Sequence, residues 1–156
     1  MAGIPNISGS VTINAPKSVV WSILDDFSNI QDWTDQVKTS VQLGDVSEGL
    51  GAGRSCELAP FGTTDEKIIE YVPEDKMVIE LTNIKKVPIS RSVTTFALTE
   101  IDANTTEVSM SPVPEPKGGP VAGLVAKRLE KSLPKAINSL LADLKAASES
   151  KAQAAA

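Results

Sequence analysis

Hydrophobic positions change period three times along this chain, and the changes mark its elements. Val11 and Ile13 alternate with polar neighbours between Ser8 and Asn14, which predicts a short strand. Ala15-Pro16 closes it, and proline suits the first turn of a helix, where an N–H would have no helical partner anyway. Val19, Val20, Ile23, Leu24 and Phe27 then fall on one helical face. Pro16 to Asp26 is therefore predicted as a short amphipathic helix, with a second, shorter one over Ser28 to Trp33. From Val37 the period becomes two. Strands are predicted at Val37–Gly44, Gly53–Leu58, Thr64–Val72, Lys76–Asn83, Ile89–Ile101 and Thr105–Val113. Their connectors carry turn residues, such as Pro60-Phe61-Gly62, Pro73-Glu74-Asp75 and Asp102-Ala103-Asn104. Strands joined by turns alone predict an antiparallel meander.

Beyond Pro112, Pro114, Pro116 and Gly118-Gly119 the helical period returns. Ala122, Ala126, Leu129, Leu133, Ile137, Leu140 and Leu144 trace one stripe. Pro134 is expected to kink this helix, because its ring displaces the bond to the Glu130 carbonyl. The small, polar tail 148–156 is expected to fray. The predicted class is α+β: a seven-stranded curved antiparallel sheet around a long C-terminal helix, with two short helices after the first strand. Residues 1–147 form one domain in this reading, without internal repeats. A sheet curved around one helical stripe leaves a hollow that the stripe cannot fill, and such a hollow is a natural ligand site.

Composition narrows the chemistry. In 156 residues, 41% hydrophobic and 22% charged is ordinary globular usage. No apolar run reaches the ~20 residues of a membrane span, and no export signal is visible at the N-terminus. A net charge of −5 argues against a nucleic-acid or anionic-membrane partner. A lone cysteine, Cys56, cannot pair within the chain, which fits a cytoplasmic location. The chain has no histidine, so Ser-His and Cys-His nucleophile pairs are impossible. A zinc site would have only carboxylates and one thiol to draw on; no metal and no cofactor is expected. Gly49, Gly51 and Gly53 precede a strand and lack a following Gly-Lys-Ser/Thr, so they read as a hairpin turn and not a phosphate loop. Asp25, Asp26, Asp32 and Asp35 match no calcium-loop spacing and read as a solvated face.

The segment Val11 to Phe27, with Trp33 beyond it, resembles the opening of the START-like superfamily. That superfamily, also called SRPBCC, includes polyketide cyclases and dehydrases, lipid carriers, the birch-pollen-allergen group and plant hormone receptors. The resemblance implies a helix-grip fold over nearly the whole chain. Within it, Val20-Trp21-Ser22, Phe27 eleven residues before Lys38, and Ser92-Val93-Thr94-Thr95 are similar to the abscisic acid receptors. In those receptors a pocket lysine binds the ligand carboxylate, while glutamates on two strands and a serine on a third hold ordered water. The resemblance carries these roles to Lys38, Glu66, Glu107 and Ser92. Ser90 is expected to share the face of Ser92, Thr94 and Phe96, and Ser109 that of Thr105 and Glu107. The receptors' Ser-Gly-Leu-Pro-Ala gate is Ala59-Pro60-Phe61-Gly62-Thr63 here, and their His-Arg-Leu latch is replaced by roughly Lys85-Lys86-Val87-Pro88. Hormone signalling is therefore not carried over, and any protein partner stays unassigned.

Three functions remain in view. One is non-catalytic binding, as carrier or sensor, of a small hydrophobic or amphipathic molecule in an internal cavity. Lys38 would meet a ligand carboxylate, Leu58, Phe61, Leu129, Leu133 and Ile137 would bury its body, and Ser90, Ser92, Glu66, Glu107 and Ser109 would form a polar floor. The second is a polyketide cyclase- or dehydratase-like enzyme with Glu66 or Glu107, raised in pKa by burial, as acid or base. The third is an interaction module with a filled interior. For Lys38, Glu66 and Glu107 the competing reading is a solvated strand face, since charged side chains are rarely buried unpaired. Cys56 reads as a small half-buried apolar residue before it reads as a reactive thiol.

Overall fold

The computed structural model describes residues 7–120 and 122–155. Its elements follow the predicted order. Strand β1 (Gly9–Ile13) leads into helix α1 (Lys17–Asp25) and a 3-10 helix (Phe27–Asp32). Six strands follow: β2 (Val37–Gln42), β3 (Gly53–Leu58), β4 (Thr63–Val72), β5 (Lys76–Lys85), β6 (Ile89–Asp102) and β7 (Thr105–Pro116). Helix α2 (Ala122–Ala155) ends the chain. The strands form one antiparallel sheet in the order β1-β7-β6-β5-β4-β3-β2. The first two strands thus lie at opposite edges, and the two short helices carry the chain from one edge to the other.

Helix α2 is tied to both edges. On the β1 side, Lys145 Nζ donates to the Thr12 carbonyl at 3.2 Å. A Cβ added at Gly9 would come within 2.8 Å of Ile137 Cγ2, so glycine permits this close approach of strand to helix. On the β2 side, Thr34 Oγ1 donates to Asp143 Oδ2 at 2.7 Å and Gln36 Nε2 donates to the Ala136 carbonyl at 2.9 Å. Leu141 and Leu144 are buried in the core with Ile13, Val20, Phe27 and Val108.

Two expectations change, on the C-terminal tail and on the last strand. Residues 148–155, expected to fray, continue α2. Ser148 is fully buried, the backbone N–H of Asn14 donates to Glu149 Oε2 at 2.9 Å, and Lys151 Nζ donates to Ser22 Oγ at 2.8 Å. These long-range bonds hold a segment whose own composition is neutral. Pro134 stands inside α2, which runs on both sides of it. β7 reaches Pro116 although prolines recur at 112, 114 and 116. Among the described residues β1 covers β7 only as far as Met110, so beyond that residue β7 is an edge there, where proline's missing N–H costs no bond to a neighbouring strand.

Candidate ligand cavity

Between the concave face of the sheet and the first half of α2 lies a cavity of about 730 Å³, within the usual range for small-molecule sites. Strand register explains its wall. Arg54, Glu66, Leu81, Ser92 and Pro114 stand opposite one another across β3, β4, β5, β6 and β7 and form one inward row. The neighbouring row carries Ile68, Ile79, Thr94 and Pro112. Met77 and Phe96 lie beyond it, both buried. The α2 side is Leu129, Leu133, Ile137 and Leu140. The mouth is flanked by the β3–β4 and β5–β6 turns. Gly62 lets them close on each other, since a Cβ there would meet Val87 Cγ2 at 2.8 Å and its φ is +106°. Phe61, 60% exposed, stands in the mouth with Lys86 and Arg128.

The charged groups of the inner wall are already paired. Arg54 and Glu66 are only 6% and 8% exposed. Arg54 Nε and Nη2 both donate to Glu66 Oε1, at 2.8 and 2.6 Å, and Nη1 donates to the Phe27 carbonyl at 2.8 Å. The guanidinium carbon lies 3.9 Å from the centre of the Phe27 ring, a cation–π contact. Thr64 Oγ1 donates to Glu66 Oε2 at 2.7 Å. Each carboxylate oxygen and each guanidinium nitrogen thus has a partner, which is what a buried ion pair needs to offset its desolvation. Burial first, and the neighbouring Glu66 carboxylate second, push the Cys56 thiol up to about 12. It therefore remains protonated near neutrality and is a poor nucleophile.

Of the residues expected at the site, Leu58, Phe61, Glu66, Ser92, Leu129, Leu133 and Ile137 line the cavity. Lys38, Ser90, Glu107 and Ser109 do not. Lys38 follows the inward Val37 and points out, and its ammonium donates to the Pro60 carbonyl at 3.0 Å. A bulge between Val37 and Thr39 then leaves two successive outward residues before Ser40 turns in. Ser90 is turned outward by a bulge between Ile89 and Arg91, and its hydroxyl donates to the Glu115 carbonyl at 3.0 Å. Glu107 is exposed and Ser109 partly so, because Thr106 and Val108 occupy the inward positions of β7. Only two of the four positions carried by the abscisic acid receptor resemblance, Glu66 and Ser92, reach the interior. The internal cation is Arg54, which sequence reasoning missed. Its signal was available: Arg54 shares a strand face with Cys56 and Leu58, both apolar.

A curved sheet gripping a long helix around an apolar cavity defines a START-like, helix-grip protein. The chain belongs to the polyketide cyclase / dehydrase and lipid transport family, whose model matches residues 5–149. A protein of Thermus thermophilus superposes with a TM-score of 0.78 at 16% identity, covering 94% of this chain and 99% of that one. The Zhui aromatase/cyclase from a Streptomyces species gives 0.73 at 15%, covering 95% and 93%. A START superfamily protein from Mycobacterium smegmatis gives 0.72 at 14%, covering 99% and 100%. At such identities the likeness carries the fold and not the ligand. No curated protein matches by sequence. Among the described residues, no helix is long and apolar enough to cross a membrane.

Proposed function

We propose that this protein binds a small, largely apolar molecule in its internal cavity, as a carrier or sensor and not as a catalyst. The observation that carries this reading is a space of about 730 Å³ walled mainly by apolar side chains, whose inner ion pair is already satisfied within the wall. A general acid or base must reach the proton it moves. Glu66 has both oxygens engaged, by Arg54 and by Thr64, and Glu107 is on the outer face. The cyclase-like alternative therefore rests on Glu66 alone, and Glu66→Gln would have to abolish turnover while leaving binding measurable. An interaction module with a filled interior has lost its premise.

Native mass spectrometry of the purified protein, with thermal shift across fatty alcohols, terpenoids and aromatic polyketides, tests the proposal. A ligand at a hundred times its Kd stabilises by about 2.7 kcal/mol, or a Tm rise of about 5–10 °C for a domain of this size. No co-purified molecule and no shift across the panel would refute it.

A further inference from the structure

Ser92 and Thr94 are each 5% exposed and line the cavity. They sit two residues apart on β6, about 7 Å by strand geometry. Neither hydroxyl has a hydrogen-bond partner among the described residues, where every other buried side-chain hydroxyl of the wall is engaged. Nor are they sealed off: among the described residues, Ser148 Oγ is the unpartnered side-chain polar atom cut off from any space. The two hydroxyls therefore open into the cavity with unspent donors and acceptors.

Their electrostatic setting decides what they take. In the register, Leu81 separates Ser92 from Glu66, so Ser92 lies two strand spacings, about 10 Å, from the ion pair. That pair has no net charge to offer. An anion placed beside Ser92 and Thr94 would be buried without a counter-charge, and burial of an uncompensated ion is strongly disfavoured. The free cations of the cavity are at its mouth: Lys86 and Arg128 line it, are exposed and form no ion pair among the described residues.

Building on the binding function proposed above, we infer that Ser92 and Thr94 form a subsite for a neutral oxygen, a hydroxyl or ketone, at the inner end of an apolar ligand. An anionic group, on a ligand that has one, stays at the mouth beside Lys86 and Arg128. The cavity thus fixes a polarity of insertion: neutral oxygen inward, charge outward.

The test is calorimetric titration of the full chain with a medium-chain alkanol, the chain-matched terminal chloroalkane and the chain-matched alkanoate, on wild type, Ser92→Ala/Thr94→Val and Lys86→Met/Arg128→Met. The alkanol should bind wild type about three- to tenfold tighter than the chloroalkane, the worth of one hydrogen bond. That advantage should vanish in Ser92→Ala/Thr94→Val, which keeps the wall's shape. Alkanoate binding should be unmoved by that variant, weaken with added salt, and fall in Lys86→Met/Arg128→Met, whose substitutions lie on exposed positions. Equal affinities of alkanol and chloroalkane for wild type would overturn the subsite while leaving the cavity a binding site. So would alkanoate affinity lost on changing Ser92 and Thr94. Failure of every probe to bind would overturn the subsite together with the binding function itself.

Discussion

Replacing Glu66 with glutamine tests whether the charge on the cavity wall is as self-contained as its geometry implies. Glu66 accepts two hydrogen bonds from Arg54 and one from Thr64, and both charged side chains are less than a tenth exposed. Glutamine keeps the length and one acceptor oxygen but removes the charge. Arg54 is then left buried, with the Phe27 carbonyl and ring as its remaining wild-type partners. Removing one partner of a buried pair costs about 3–5 kcal/mol. The retained acceptor and the ring contact place the expected loss at the lower end, about 3 kcal/mol, against a total stability of about 5–15 kcal/mol for a domain. In urea, with a slope of about 2 kcal/mol per molar, the unfolding midpoint should fall by about 1.5 M at unchanged slope. Replacing Arg54 and Glu66 together by methionine removes both charges, so the double variant should recover most of that loss. A Glu66→Gln loss below about 1 kcal/mol is the range of solvent-exposed pairs and would refute the reasoning. A double variant less stable than the single one would refute its desolvation half.

Other perturbations probe other parts of the fold. Gly9→Ala drives a methyl to 2.8 Å from Ile137 Cγ2 and 3.1 Å from Asn138 Oδ1, and overpacking of that kind should cost about 1–3 kcal/mol in thermal unfolding; an unchanged Tm would show that β1 and α2 are not in close contact. Glu149 is held below its ordinary value of 4.5 first by its hydrogen bond with Lys145 and then by the Asn14 N–H. Its contribution is present above 4.5 and is lost as pH falls through the lower folded value, so the stability difference between wild type and Glu149→Gln should disappear in acid; a difference that grows on acidification contradicts this. Cys56, buried and with its thiol pushed up to about 12, should resist alkylation near pH 8 until urea unfolds the chain, since only about one thiol in ten thousand is ionised there; labelling of the folded protein at the rate of a free thiol would contradict its placement. Lys38→Ala and Glu107→Gln, both outside the cavity, should leave ligand affinity within about twofold of wild type by calorimetry, since neither removes a contact to the ligand; a larger loss would return them to the site.

The strands were legible because their apolar residues alternate, and the order of elements followed from turns and the three changes of period. Which face of a strand looks inward was legible only where no bulge intervenes. In β7, Val108 and Met110 alternate with Glu107 and Ser109, and hydrophobicity alone assigns the first pair inward; the receptor resemblance pointed the other way and the local pattern prevailed. In β2 and β6 one displaced residue decides the matter. The bulge after Ile89 turns Ser90 outward while Ser92 and Thr94 keep the inner face, and the bulge at Val37/Thr39 leaves Lys38 and Thr39 both outside. A one-residue slip exchanges the faces of everything beyond it, so a polar pattern copied by spacing can hold on one side of a bulge and fail on the other. Arg54 was hidden for a different reason. Its alternation with Cys56 and Leu58 marks the inward face, but a charge there makes sense only with its partner, and Glu66 lies across a hairpin whose register residue types alone do not fix. The same non-local dependence governs the C-terminal turns of α2, which gain their order from Asn14 and Ser22 more than a hundred residues away. What selects a ligand here is therefore set by register: the pairing that cancels the charge of Arg54 also aligns Ser92 as the first unpartnered polar group along the same row.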